Sequence, residues 1–146
     1  MVDVSNKSET IRIAVAQAVV LLSQEIFQLL DGQELQSKKG PVLETARLAG
    51  IMATKKTSDL IPLCHPLPLT HSSIDFEVLE DQYAVRISCS VKTIGKTGVE
   101  MEALIGCNIA ALTIYDMCKA VSHDIKITDI QLNQKTGGKR DFERAS

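Results

Sequence analysis

Tryptophan is absent from this 146-residue chain, and its other aromatics are two Tyr and three Phe. Proteins that grip single-stranded nucleic acid stack bases on aromatic rings, and so thin a supply argues against such a platform. Charge of one sign is missing too. Sixteen Lys and Arg against eighteen Asp and Glu leave a formal net charge of −2, without the basic excess that a long nucleic acid demands. The four cysteines (Cys64, Cys89, Cys107, Cys118) show no paired spacing, so neither a zinc site nor a disulfide framework is indicated. No signal peptide and no run of about eighteen apolar residues appears. Together these absences predict a soluble cytoplasmic protein with reduced thiols and no nucleic-acid or membrane partner.

What is present is a hydrophobic content of 45%, which at this length predicts one domain over 1–146 with a single core. The chain is organised around Gly95-Lys-Thr-Gly-Val-Glu-Met-Glu-Ala-Leu and a helix that continues to about Val121. Before it, the stretch from Tyr83 to Val91 alternates with the two-residue period of a half-buried strand. After Gly98 the period changes. Leu104, Ile105, Ile109, Leu112, Ile114 and Met117, with Ala103, Ala110 and Ala111, predict a largely buried helix, and Thr97-x-x-Glu100 reads as a capping box at its start. A strand entering a helix N-terminus gathers free N–H groups, the positive end of the helix dipole and Lys96, a setting that suits an anion. Gly95-Lys96-Thr97-Gly98 is not a P-loop, because Ser90 stands where the first glycine belongs. A KH-type clamp on a nucleic-acid backbone does not suit this strand-to-helix context, and taken alone the four residues read as a tight turn with a helix cap.

The helix also carries polar groups that a core helix does not need. At ~100° per residue, Glu102 and Asp116 fall within roughly 40° of each other, yet their spacing of fourteen residues is about 21 Å of helix. One small substrate cannot sit on both. A two-fold axis that brings Glu102 of one subunit towards Asp116 and Lys119 of another predicts a site shared between subunits. Plainer readings stand beside it: Glu100 completing the cap, Lys119 complementing the helix C-terminus, and Asp116 as its i,i+3 partner.

Met1 to Ser8 is polar and predicted to be loose unless a partner holds it. Thr10 to Val20 alternates as a strand despite its alanines, and a short helix follows over Ser23–Leu30, ended by Asp31-Gly32. Gln33–Pro41 is predicted as a loop containing Lys38-Lys39-Gly40-Pro41, either a solvated surface or a ligand-approach point. Leu43–Leu60 reads as a helix with Leu48, Ile51, Met52 and Leu60 on its apolar side. Three prolines between Pro62 and Pro68 forbid regular structure there. His65 is thereby held on a stiff apolar segment, as a proton donor or acceptor, a hydrogen-bonding anchor, or a buried structural histidine. Cys64 beside it has no correctly spaced companion ligand, which argues against a metal. Leu69–Leu79 and Gln82–Ile94 form a hairpin, and His123–Gln134 is a strand with an irregularity near Asp129. The tail from Lys135 to Arg140 joins flexible glycines to cations, a solvated end or a phosphate-gripping arm. This order of elements predicts an α+β domain, helices on one face of an antiparallel sheet.

Several of these stretches together resemble the cyclic pyranopterin monophosphate synthase (MoaC) family of molybdenum-cofactor biosynthesis. They are Met1-Val-Asp-Val-Ser, Thr45-Ala-Arg-Leu-Ala-Gly, Asp59-Leu-Ile-Pro-Leu-Cys-His-Pro-Leu, Gly95-Lys-Thr-Gly-Val-Glu-Met-Glu-Ala-Leu, and Ala110-Ala-Leu-Thr-Ile-Tyr-Asp-Met-Cys-Lys-Ala-Val. The resemblance implies a ferredoxin-like subunit in a homohexamer built as a trimer of dimers, with active sites at subunit interfaces. The implied reaction rearranges a GTP-derived 3′,8-cyclised nucleotide into a pyranopterin with a cyclic phosphate, releasing pyrophosphate. No metal or redox cofactor is required in that scheme. Leu63, Cys64, His65, Met101 and Glu102 match the family's substrate contacts, Glu100 lies in the same Glu-Met-Glu stretch, and Asp116 and Lys119 match its catalytic positions. Lys39, Lys135 and Lys139 resemble its phosphate-side cations. The chain starts without much of the family's usual leader, and Gly-Gly-Lys139 is followed by Arg-Asp rather than a Ser-Gly-like pair.

On that reading Lys119 serves as general acid and Asp116 as orienting base, once burial makes the ammonium a readier acid. His65 and Glu102 hold the guanine-derived ring, and the lysines offset charge on the leaving pyrophosphate. Two other functions compete: a nucleotide- or RNA-binding module that uses the Gly-x-x-Gly turn, and an inactive oligomeric partner of the preceding radical enzyme.

Overall fold

The computed structural model describes residues 1–145. Strand β1 (Thr10–Leu21) buries Ala14, Ala16 and Ala18 completely, while Ile13, Val15 and Gln17 between them are half-buried. The alanines are there to admit a helix closely, not to form one, which resolves the strand-or-helix ambiguity. Helix α1 (Gln24–Phe27) is capped by Ser23, whose Oγ accepts from the Ile26 amide at 3.2 Å.

The expected helix to Leu30 stops early. In place of a plain loop come three short strands, β2 (Leu30–Asp31), β3 (Glu34–Ser37) and β4 (Gly40–Pro41), paired as a small sheet. Helix α2 (Val42–Thr54) follows at once, and Pro41 at its start offers no side-chain cap. Glu34 supplies one from across the hairpin: its carboxylate accepts from the Leu43 amide at 2.7 Å and the Glu44 amide at 3.1 Å.

The helix expected over Leu43–Leu60 breaks at Lys55-Lys56 and resumes as α3 (Thr57–Leu60). Its inner face is also not the expected one. Val42, Leu43, Ala46, Gly50 and Ala53 point inward, whereas Leu48 is 61% and Met52 57% exposed, with Leu60 exposed too and Ile51 half-buried. The reason lies in the close approach of α2 to the long helix α4 (Glu100–Cys118). A Cβ on Gly50 would stand 2.7 Å from the Gly106 carbonyl, and one on Gly106 would stand 2.6 Å from the Cys89 sulfur. Packing at that distance selects small residues and turns the large ones outward.

Strand β5 (Leu69–Leu79) returns through a single 3-10 turn, Glu80–Gln82, to β6 (Ala84–Gly95), the expected hairpin. After α4 come β7 (Lys126–Thr136) and the short β8 (Phe142–Glu143). The main sheet has five antiparallel strands in the order β5-β6-β1-β7-β8. Helix α2 joins β1 to β5 and α4 joins β6 to β7, the split βαβ arrangement of ferredoxin-like folds. The register of β7 on β1 slips opposite Gln17–Val19, and Asp129 takes φ 52°, the expected irregularity. Both long helices lie on one sheet face. The core between them includes Ile74, Ile87, Val91 and Ile114, each contributing ~1.5–3 kcal/mol when fully buried. By length and composition α4 is apolar enough to cross a membrane. Here it is the central core helix, although Leu112 is exposed and Leu104, Ile105 and Ile109 are only half-buried, short of the largely buried helix expected.

Candidate active site

Two clusters of polar side chains form, one at each end of α4. At its first turn, Leu63, Cys64 and His65 from the proline-braced segment meet Glu100, Met101 and Glu102 around a cavity of about 260 Å³. The prolines keep this wall extended, and β6 brings α4 in beside it through the turn at Gly95–Val99. The capping box expected from Thr97 and Glu100 does not form. The cap position is Val99, with no side-chain hydrogen bond, and Glu100 instead pairs with Lys135 Nζ on β7 at 3.4 Å.

Glu102 is only 5% exposed. Burial raises its carboxyl above the usual range, and the charge of Glu100 adds to the effect. Desolvation, then Glu102, pushes the Cys64 thiol up as well, so at neutral pH Cys64 is a thiol and not a thiolate nucleophile. His65 points its Nε2 at the backbone carbonyl of Val2, 2.7 Å away. Thus the first-turn cluster combines a carboxyl biased towards its protonated form, an imidazole and an apolar wall, groups fit to grip a flat heteroaromatic ring.

At the last turn of α4, Asp116 lies between two cations. Its Oδ2 meets Lys39 Nζ at 2.9 Å and its Oδ1 meets Lys119 Nζ at 3.1 Å. Lys39, hydrogen-bonded to the carboxylate, and Lys119 after it hold Asp116 below the ordinary aspartate range. Lys39 arrives on the turn between β3 and β4. There Ser37 Oγ accepts from the Lys39 amide at 3.1 Å and donates to the Gly40 carbonyl at 3.0 Å. Gly40 takes φ 111°, open to glycine and closed to most other residues. All three charged side chains are about half exposed, and an apolar cavity of about 480 Å³ lined by Lys38, Lys39, Met117 and Val121 lies beside them.

Of the eleven residues singled out from sequence, ten therefore fall into the two clusters: Leu63, Cys64, His65, Glu100, Met101, Glu102 and Lys135 at one end, Lys39, Asp116 and Lys119 at the other, with Met101 lining the same wall as Glu102. Lys139 joins neither and stays exposed on the turn before β8. The clusters are not brought to each other within the chain, because α4 runs between them for about 21 Å from Glu102 to Asp116. Among the described residues, no group of three His, Cys, Asp or Glu side chains is gathered as a metal set.

Three contributions were not foreseen. Lys39 completes the Asp116–Lys119 pair from 77 residues away, a contact with no trace in local spacing. Glu34 and Ser37 shape the turn that carries Lys39, inside what sequence presented as loop. Finally, the stretch expected to be loose reaches the site through Val2. The recurrence of Met-Val-Asp-Val-Ser among the family's matching stretches was the one available signal for it.

The MoaC family model matches residues 1–138. A protein named cyclic pyranopterin monophosphate synthase from Clostridium perfringens (strain SM101 / Type A) is 56% identical over 139 residues, 95% of this chain and 87% of that protein. Its namesake from Heliobacterium modesticaldum is 56% identical over 140 residues, 95% of this chain and 86% of the relative. Molybdenum cofactor biosynthesis protein 1 of Homo sapiens is 53% identical over 146 residues, covering 99% of this chain but 23% of the longer human protein. Extent and identity agree with the fold and with the motifs that form the two clusters, and the chain belongs to the MoaC family.

Proposed function

We propose that this enzyme of molybdenum-cofactor biosynthesis, a cyclic pyranopterin monophosphate synthase, converts 3′,8-cyclo-7,8-dihydro-GTP into cyclic pyranopterin monophosphate and pyrophosphate at sites shared between subunits. The observation that carries this reading is the division of the site residues between the two ends of α4. Cations lie at both ends, Lys135 at the first turn and Lys39 with Lys119 at the last. If they act on one triphosphate-bearing substrate, ends from two chains must meet, which an antiparallel pair of α4 helices about a two-fold axis achieves. A homohexamer, as a trimer of such dimers in the cytoplasm, completes the proposed assembly.

In that site His65 and Glu102 hold the guanine-derived ring by hydrogen bonds along the wall of Leu63, Cys64 and Met101. Ring opening and reclosure need protons delivered and removed at fixed points. Lys119 delivers one, and Asp116 orients the ammonium while accepting its partner contact. A second subunit laid over the half-exposed Asp116–Lys119 pair excludes water from it and strengthens each electrostatic contact. Lys39, Lys135 and Lys139 offset the charge that builds on the departing pyrophosphate. Glu100, paired to Lys135, sets where that cation stands.

Incubation of the purified protein with the cyclised nucleotide tests this directly. The expected result is cyclic pyranopterin monophosphate and pyrophosphate in equal amounts. Binding without conversion contradicts the proposal.

A further inference from the structure

Residues Met1–Ser5 are exposed in large part, yet they are not a free end. Asp3 accepts from the Ser5 amide at 2.9 Å and from the Ser5 hydroxyl, and the Lys7 amide donates to the Val4 carbonyl at 3.0 Å, which folds the segment into a turn. Lys96 Nζ, in the loop before α4, reaches the Ser5 carbonyl at 3.4 Å. The turn so anchored lays Val2 against the Glu102 cavity, which it helps to line, with its carbonyl on His65 Nε2 at 2.7 Å. A second cavity of about 460 Å³ is lined by residues 1–5 of the segment itself together with His65 and Lys96. Val2 of the segment and His65 thus border both hollows.

A carbonyl oxygen has only lone pairs to offer, so the ring must be the donor in this bond. The partner of one imidazole nitrogen decides what the other nitrogen does. We propose that the N-terminal segment is a working part of the site: the Val2 carbonyl holds the His65 proton on Nε2 and so presents Nδ1 as the acceptor for an N–H or O–H of the substrate ring. This deepens the reading above and rests on it for the identity of that ring, but the hydrogen bond itself exists without substrate. Val2 is a positioning residue and acts through its main chain, so side-chain scanning leaves its contribution silent.

The test removes the segment and leaves the rest of the chain intact. In long-range proton–nitrogen spectra of the full chain, the His65 signals, identified by their loss in His65→Gln, show Nε2 protonated with slow exchange and Nδ1 bare. Deletion of residues 2–4 makes the Nε2 proton exchange fast. It also lowers kcat by about tenfold, the scale of a small misplacement of a reacting group, with KM and Tm little changed. A bare Nε2 with a protonated Nδ1 in the full chain overturns the proposal, as does unchanged kcat after the deletion. The spectra decide the hydrogen bond whatever reaction the protein performs, so failure of the synthase reading and failure of this one are told apart.

Discussion

At its first turn α4 carries Glu102 almost wholly out of water against a proline-braced wall; at its last turn the same helix carries Asp116 half in solvent between two lysines. The two carboxyls are displaced in opposite directions, and for different reasons. Removal from water raises Glu102, and cations lower Asp116. One end is finished by its own chain, with a cavity, an imidazole and a backbone strap. The other presents charges in a good mutual geometry but no roof. A charged cluster left uncovered and a walled cavity on the same copy are the arrangement that the proposed site shared between subunits requires of a single chain.

The sharpest way to break this contrast is to remove the exposed charges. Lys119→Ala and Asp116→Ala are each expected to lower kcat by about 10²–10⁴, the usual share of a positioned proton donor, while equilibrium dialysis still finds substrate bound. Near-normal turnover in either removes the last-turn cluster from the mechanism.

Glu102→Gln tests the buried end. Here kcat/KM falls by about 10², but stability moves the other way. Because the folded value of Glu102 lies above its unfolded one, the native state binds more protons than the unfolded chain in the window between them, and stability declines as pH rises through it. The Gln variant is free of that loss. Its Tm therefore exceeds the parent's by a margin that grows from the ordinary glutamate range upward and levels off once Glu102 is ionised. A constant Tm difference across pH refutes the assignment of the raised carboxyl.

The mildest effect belongs to Glu34→Ala. Loss of the cap on α2 costs ~1 kcal/mol, a Tm decrease of about 3 °C for a chain of this size. The Lys39 turn loosens with it, and KM rises by about threefold. An unchanged KM with lowered Tm assigns Glu34 to stability alone.

Sequence revealed the elements with strong periods, and it singled out most of the residues that gather in the two clusters. Alternation in β1, β5 and β6 survived into the structure because each strand has one face on the helices and one away from them. The inner face of α2 was misjudged because hydrophobic scales favour Leu48 and Met52, whereas the contact with α4 is made through Gly50, Ala46 and Gly106, whose merit is that they are small. The strands β2 to β4 are two to four residues long, too short for any period to register. For the site, the proline segment and the Glu-Met-Glu turn were legible as motifs, and so were Asp116 and Lys119. What local spacing does not encode is contact across the fold: Lys39 on Asp116, Lys135 on Glu100, and the Val2 carbonyl on His65.

The central claim is that the first turn of one α4 and the last turn of another make one site. Co-expression of Glu102→Gln with Lys119→Ala, each expected to keep about a hundredth of the parental activity or less, measures it. In a mixed dimer one site collects both lesions and the other collects neither, so random pairing restores about a quarter of the parental sites. Turnover near that fraction in the purified mixed oligomer is the predicted result; activity no higher than that of the separate variants contradicts the account.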